Sequence, residues 1–182
     1  MKTIARCAAL AAAALSASSA QALPFAFTKL PAGQTSLSTS ASPQTVDALA
    51  FEMRSIDPSA TTVTKMSFQI TGTLPLGTLT DLQLISYPLG LGSPGVLVGT
   101  SDGSTWGHSA SRAMITIPLA VPVTLQQNTS NTFVLRATVK GATSFFFNPD
   151  VHVVTVSSNG VERALVAETE DLPLPGETFR VN

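Results

Sequence analysis

The chain has 182 residues and a formal net charge of −1, with 10 basic and 11 acidic side chains scattered along it. Because nucleic-acid binding depends on basic side chains that neutralise phosphates, this charge balance argues against a nucleic-acid partner. The length suits one domain that can bury a substantial core.

Residues 1–22 have the three parts of a secretory signal peptide. Lys2 and Arg6 supply a basic start, residues 7–15 (CAALAAAAL) form a short apolar run, and residues 20–22 (AQA) form a small-x-small cleavage site. We therefore expect export to the periplasm, the cell surface or the extracellular space, and no membrane span in the mature chain. Cys7 is the only cysteine and lies in this leader, so the mature chain must fold without a disulfide.

Residues 23–43 are predicted to form an N-terminal amphipathic strand and a flexible linker. Phe25 and Phe27 alternate with Ala26 and Thr28, which is the period of a strand with one apolar face. Small and polar residues dominate the following stretch, as is typical of a flexible connection.

Apolar and polar residues alternate with period two through most of residues 44–167, separated by turn residues. The predicted strands are 46–54, 63–70, 81–85, 96–100, 113–119, 132–140, 150–158 and 161–167. About eight short strands, each with one apolar face, predict an all-β antiparallel sandwich. Residues 168–182 are acidic and proline-rich at first and are predicted to form a C-terminal tail or edge strand.

Five segments also resemble a known kind of module. They are 46–53 (VDALAFEM), 62–68 (TVTKMSF), 80–84 (TDLQL), 115–118 (ITIP) and 132–139 (TFVLRATV). Their order resembles immunoglobulin-like β-sandwich modules of bacterial cell-surface, S-layer-type and filament proteins. The resemblance implies an Ig-like sandwich with a structural or adhesive role and without a shared catalytic motif.

The stretch 102–109 (DGSTWGHS) is the strongest candidate for chemistry. It holds a carboxylate, hydroxyls and a histidine, but the nucleophile elbow G-x-S-x-G is not met because Asp102 stands at the first glycine position. Neighbours along one loop also rarely adopt the geometry of a catalytic triad. We interpret the stretch as a loop at one end of the sandwich and predict that the protein is not an enzyme.

Metal ligands are also unconvincing in this sequence. His108 and His152 are far apart and neither belongs to an HExxH motif. Glu168, Glu170 and Asp171 lack the spacing of a calcium loop, so a solvated acidic tail is the better interpretation. No metal or other cofactor is predicted.

The favoured function is self-assembly of an exported structural subunit by β-strand addition. The N-terminal strand of one subunit would pair with the next, and Phe25 and Phe27 would enter pockets there, although the same strand could instead pair within its own sandwich. Phe145, Phe146 and Phe147 point to both faces of a strand, so at least one ring should be exposed and available to a second subunit.

The alternative function is non-catalytic binding of a carbohydrate or another surface ligand. Tyr87 and Trp106 are the only Tyr and Trp of the chain. Their aromatic faces could form a stacking platform for a sugar at one end of the sandwich.

Overall fold

The computed structural model describes residues 25–31, 36–38, 40–73, 78–102, 112–141, 144–166 and 172–182. These residues form twelve strands. They are β1 (Phe25–Leu30), β2 (Ser36–Leu37), β3 (Ser40–Ser55), β4 (Thr61–Gly72), β5 (Leu79–Tyr87), β6 (Val96–Asp102), β7 (Arg112–Leu125), β8 (Ser130–Gly141), β9 (Phe145–Ser158), β10 (Val161–Leu165), β11 (Leu174–Pro175) and β12 (Phe179–Val181). None of the described residues forms a helix that could cross a membrane.

The strands form two sheets, which confirms the predicted all-β sandwich. The first sheet has the order β1-β3-β8-β5-β6, and the second has the order β2-β12-β9-β4-β7. Nearly all pairings are antiparallel, and only the short pairing of β12 with β2 is parallel. The strand count exceeds the eight expected because two- and three-residue strands carry too few residues to show alternation.

The core lies between the two sheets and follows the period-two pattern of the sequence. Phe51 on β3 stacks on Phe133 of the neighbouring strand β8, with ring centroids 5.6 Å apart. From the second sheet, Met66 and Phe68 are fully buried. Such side chains are buried together because one face of each strand is removed from water when the sheets pack.

The C-terminal strands line one side of the long strand β9. Going along β9, β10 pairs with residues 154–158, β11 with residues 150–151 and β12 with residues 145–147. The segment predicted as a C-terminal tail or edge strand therefore contains two short strands on this edge. Prolines at positions 173 and 175 fit an interrupted edge, because proline cannot donate to a sheet ladder.

On the other side of the sandwich, β6 of the first sheet lies against β7 of the second. A Cβ atom at Gly99 would stand 2.6 Å from Ile117 Cγ2 and 2.8 Å from the Pro118 carbonyl oxygen. Only glycine permits this approach of the two strands. Strand β7 therefore covers the edge of β6 that has no neighbour in its own sheet.

Four short connections lie at one end of the sandwich, here called the hairpin end. They are 56–60, 88–95, 126–129 and 159–160. The pairings Phe25↔Ser55 and Tyr87↔Thr132 place the start of β1 and the end of β5 at this end as well. The Asn128 amide donates to the Ser55 carbonyl, which ties the connection 126–129 to the end of β3.

Candidate functional site

The N-terminal strand β1 pairs with β3 of its own chain. The register runs from Phe25↔Ser55 to Leu30↔Ala50. Phe25 and Phe27 are 1% and 7% exposed and belong to the core of the sandwich. Within a single chain the strand therefore fills its own sheet edge, and the two rings are buried in the same molecule. Their predicted role at a subunit interface stays a prediction.

The edge of β1 that is not paired with β3 lies beside the C-terminal segment, which belongs to the second sheet. Lys29 Nζ forms an ion pair with Glu177 at 2.7 Å and donates to the Gly176 carbonyl at 3.3 Å. The Arg163 guanidinium lies 5.8 Å from the centroid of the Phe25 ring. These partly exposed contacts are worth little individually, so β1 is held mainly by its ladder and its two phenylalanines.

The three consecutive phenylalanines have different surroundings. Phe145 and Phe147 are 4% and 0% exposed, whereas Phe146 is 44% exposed. Phe147 stacks on Phe179 of β12, with ring centroids 5.0 Å apart. One exposed ring is what strand alternation requires, and it is the ring of Phe146. Its predicted contact with a second subunit stays a prediction.

Phe146 borders a cavity of about 440 Å³ at the far end of the sandwich from the hairpin end. The Thr73 amide donates to the Phe146 carbonyl at 3.0 Å, which joins two lining residues. The other lining residues are Ser144, Phe145, Thr178, Arg180, Val181 and Asn182. The lining combines hydroxyl side chains and a guanidinium with apolar side chains, and it contains no histidine or cysteine.

The stretch 102–109 lies almost entirely outside the described residues. Asp102 ends β6, opposite Asp81 of β5. Trp106 and His108 lie in the part that is not described. No triad or stacking geometry can therefore be assigned to them.

Tyr87 lies at the hairpin end, where β5 ends. A Cβ atom at Gly95 would stand 2.7 Å from the Tyr87 ring, so the backbone of the 88–95 connection packs against that ring. The nearby Arg136 donates to Asp47 Oδ1 at 2.7 Å, and this hydrogen bond raises the pKa of Arg136 above its usual value. Tyr87 is the last residue of β5, and Trp106 lies outside the described residues. Their shared carbohydrate platform stays a prediction.

His152 lies at a bulge of β9 and is half-buried. Neighbouring residues 151 and 153 pair with Phe68 and Ser67 of β4, which leaves His152 as the extra residue. Its buried Nδ1 atom has no hydrogen-bond partner among the residues that the structure describes. Within the described ranges no group of three or more His, Cys, Asp and Glu residues could hold a metal ion, and the predicted acidic tail residues Glu168, Glu170 and Asp171 lie outside those ranges.

No protein-family model matches the chain. No curated protein matches it in sequence either. The resemblance to Ig-like modules of bacterial surface proteins therefore stays a prediction.

Sequence reasoning missed one surface feature at the hairpin end. The stretch 88–97 (PLGLGSPGVL) has no charged side chain, and four of its residues are exposed apolar residues: Leu89, Leu91, Val96 and Leu97. The sequence indicates this feature, because ten consecutive residues at a predicted turn are uncharged, whereas turns usually contain charged and polar residues.

Proposed function

We propose that the protein is an exported structural or adhesive subunit of the cell surface that self-associates by exchange of its N-terminal strand. The observation that supports this proposal most is the position of β1. It lies at the edge of the first sheet, and among the described strands it pairs with β3 alone. Its departure would leave the order β3-β8-β5-β6 intact.

Exchange would conserve the contacts that β1 makes. In a pair of subunits, Phe25 and Phe27 of one copy would enter the same pockets of the next copy and pair with the same strand β3. The free-energy difference between the closed monomer and the exchanged form then depends mainly on the conformation of the connection after β1. The populations of the two forms also depend on the protein concentration. If each copy donates to the next, the contact is heterologous and can propagate into a filament.

A cross-strand disulfide provides the test. Thr28 lies opposite Glu52 in the β1–β3 ladder. Directly opposed residues of antiparallel strands lie at a Cα separation that a disulfide can span. The double variant Thr28→Cys with Glu52→Cys, made in the mature chain, would tie β1 to its own sheet when oxidised and release it when reduced.

We expect the oxidised double variant to remain monomeric by light scattering and negative-stain electron microscopy, while its reduced form and the parent associate. The matched control is Thr62→Cys with Thr124→Cys, which joins β4 to β7. The hydroxyls of these two threonines lie 3.0 Å apart in the structure. That disulfide should leave association unchanged. Assembly of the oxidised β1–β3 variant, or a parent chain that stays monomeric at high concentration, would contradict the proposal.

A further inference from the structure

The N-terminal strand β1 carries one charged side chain, and that charge is paired with the C-terminal segment (172–182). Among residues 25–30 (FAFTKL) only Lys29 is charged. Its Nζ lies 2.7 Å from Glu177 Oε1 and 3.3 Å from the Gly176 carbonyl oxygen. Because the β1–β3 ladder is formed by backbone groups, Lys29 is the position at which charge can distinguish this strand from another.

The groups that pair with Lys29 are held by β9 and not by β1. Strand β11 pairs with residues 150–151 of β9. Directly after it, the Gly176 amide donates to Asp150 Oδ1 at 3.1 Å, and a Cβ atom at Gly176 would overlap with the Pro149 carbonyl oxygen. Departure of β1 would therefore leave the Glu177 carboxylate and the Gly176 carbonyl beside the vacated strand position.

A side chain of opposite charge contacts the other end of β1. The Arg163 guanidinium lies 5.8 Å from the centroid of the Phe25 ring, and β10, which carries Arg163, is held by its own ladder on β9. The position that receives β1 thus has a cation near Phe25 and an anion near Lys29. A strand that entered in the reverse direction, or shifted by two residues, would place Lys29 away from the Glu177 carboxylate.

We propose that Glu177 of one copy selects the N-terminal strand of a second copy by pairing with Lys29 of that strand, and that this ion pair fixes the direction and the register of the exchanged strand. The inference rests on the proposed exchange of β1 and names the contact that makes it specific. The ladder and the two phenylalanines supply the affinity, since a partly exposed ion pair contributes little. The ion pair acts on the choice of partner, because like charges at this position repel.

Charge reversal in the mature chain tests this selection. The variant Lys29→Glu brings two carboxylates together in each closed chain, and Glu177→Lys brings two ammonium groups together. Exchange of β1 between these two variants places opposite charges at both contacts. With one variant labelled with nitrogen-15, native mass spectrometry counts mixed and same-variant dimers. We expect the ratio of mixed to same-variant dimers to exceed the statistical ratio about tenfold at low ionic strength, and this excess to shrink as salt is added.

The matched control reverses an ion pair that stays within one subunit when β1 is exchanged. Arg136 Nε lies 2.7 Å from Asp47 Oδ1, and both side chains are partly exposed, as are those of Lys29 and Glu177. The variants Arg136→Asp and Asp47→Arg should mix statistically, because β3 and β8 remain paired in the same subunit.

Hydrogen exchange of the β1 amides, followed by mass spectrometry, gives a second readout that needs no association. Each single reversal should speed this exchange about threefold, and both reversals in one chain should restore most of the parent rate. A double variant that exchanges as fast as the single variants would overturn the inference. Association of the parent together with statistical mixing of the two reversal variants would overturn it as well, while the proposed function would stand. A parent that never associates would overturn both.

Discussion

Phe145, Phe146 and Phe147 are identical side chains with unequal roles in the fold. The strand alternates, so the first and third rings enter the core while the second faces outward. Phe147 also stacks on Phe179 and thereby fixes β12 against β9. The burial of each ring follows from its register position, since the residue type is the same at all three.

Alanine substitutions in this triplet should separate the two roles. Phe147→Ala should lower the free energy of unfolding by about 3–5 kcal/mol, because it leaves a cavity beside Phe179. Phe146→Ala, at a half-exposed position, should lower it by about 1 kcal/mol or less. Urea unfolding followed by circular dichroism measures both changes. Equal losses for the two variants would mean that the register of β9 differs from the one described.

At the scale of elements, the edges of the sandwich are assembled from the two termini of the chain. The N-terminal strand β1 adds to β3, and the C-terminal strands β11 and β12 add to β9. Lys29 joins these termini through Glu177 and the Gly176 carbonyl. An exposed strand edge is prone to unwanted pairing, and short, proline-interrupted strands with a charged lysine reduce that tendency.

Deletion of residues 23–30 tests β1 as an element. The shortened mature chain loses the two buried rings of Phe25 and Phe27, so we expect a clear loss of stability and exposure of the β3 edge. A synthetic peptide of residues 23–31 added in trans should restore the melting temperature in a concentration-dependent way. A peptide with both phenylalanines replaced by serine serves as the control. Unchanged stability after deletion would show that β1 contributes nothing to the sandwich.

At the scale of the whole molecule, the sheets are built from segments that are distant in sequence. Strands β3 and β8 pair over most of their length, so that Phe51 lies opposite Phe133. Strand β4 likewise pairs with β9, which places Phe68 opposite Val151. The chain must therefore lose the conformational entropy of the long segments between paired strands before these pairings stabilise it.

We expect slow folding as a consequence. The main refolding phase of the mature chain should take on the order of milliseconds to seconds, as in other sandwiches dominated by distant pairings. Stopped-flow circular dichroism after dilution from urea measures this rate. A dominant phase in the microsecond range would be inconsistent with a fold whose core depends on the β3–β8 and β4–β9 ladders.

The sequence by itself determined the class of the fold and the face that most strands bury. Alternation in stretches such as 63–70 and 132–140 requires strands with one apolar side, and two layers are the simple way to bury many such sides. It also predicted that one ring of the phenylalanine triplet must be exposed, because strand geometry alone imposes this.

The tertiary structure alone decided which strands are neighbours and which surfaces remain free. Alternation describes the two faces of a strand but carries no information about its edges, so the pairing of β1 with β3 and the position of β12 could not be read from residues 25–30 or 179–181. The exposed apolar residues near the hairpin end were hidden for the same reason. They include Ile56, Leu89 and Val161, which come from segments far apart along the chain, and only the packing of the two sheets brings these segments to one end of the molecule.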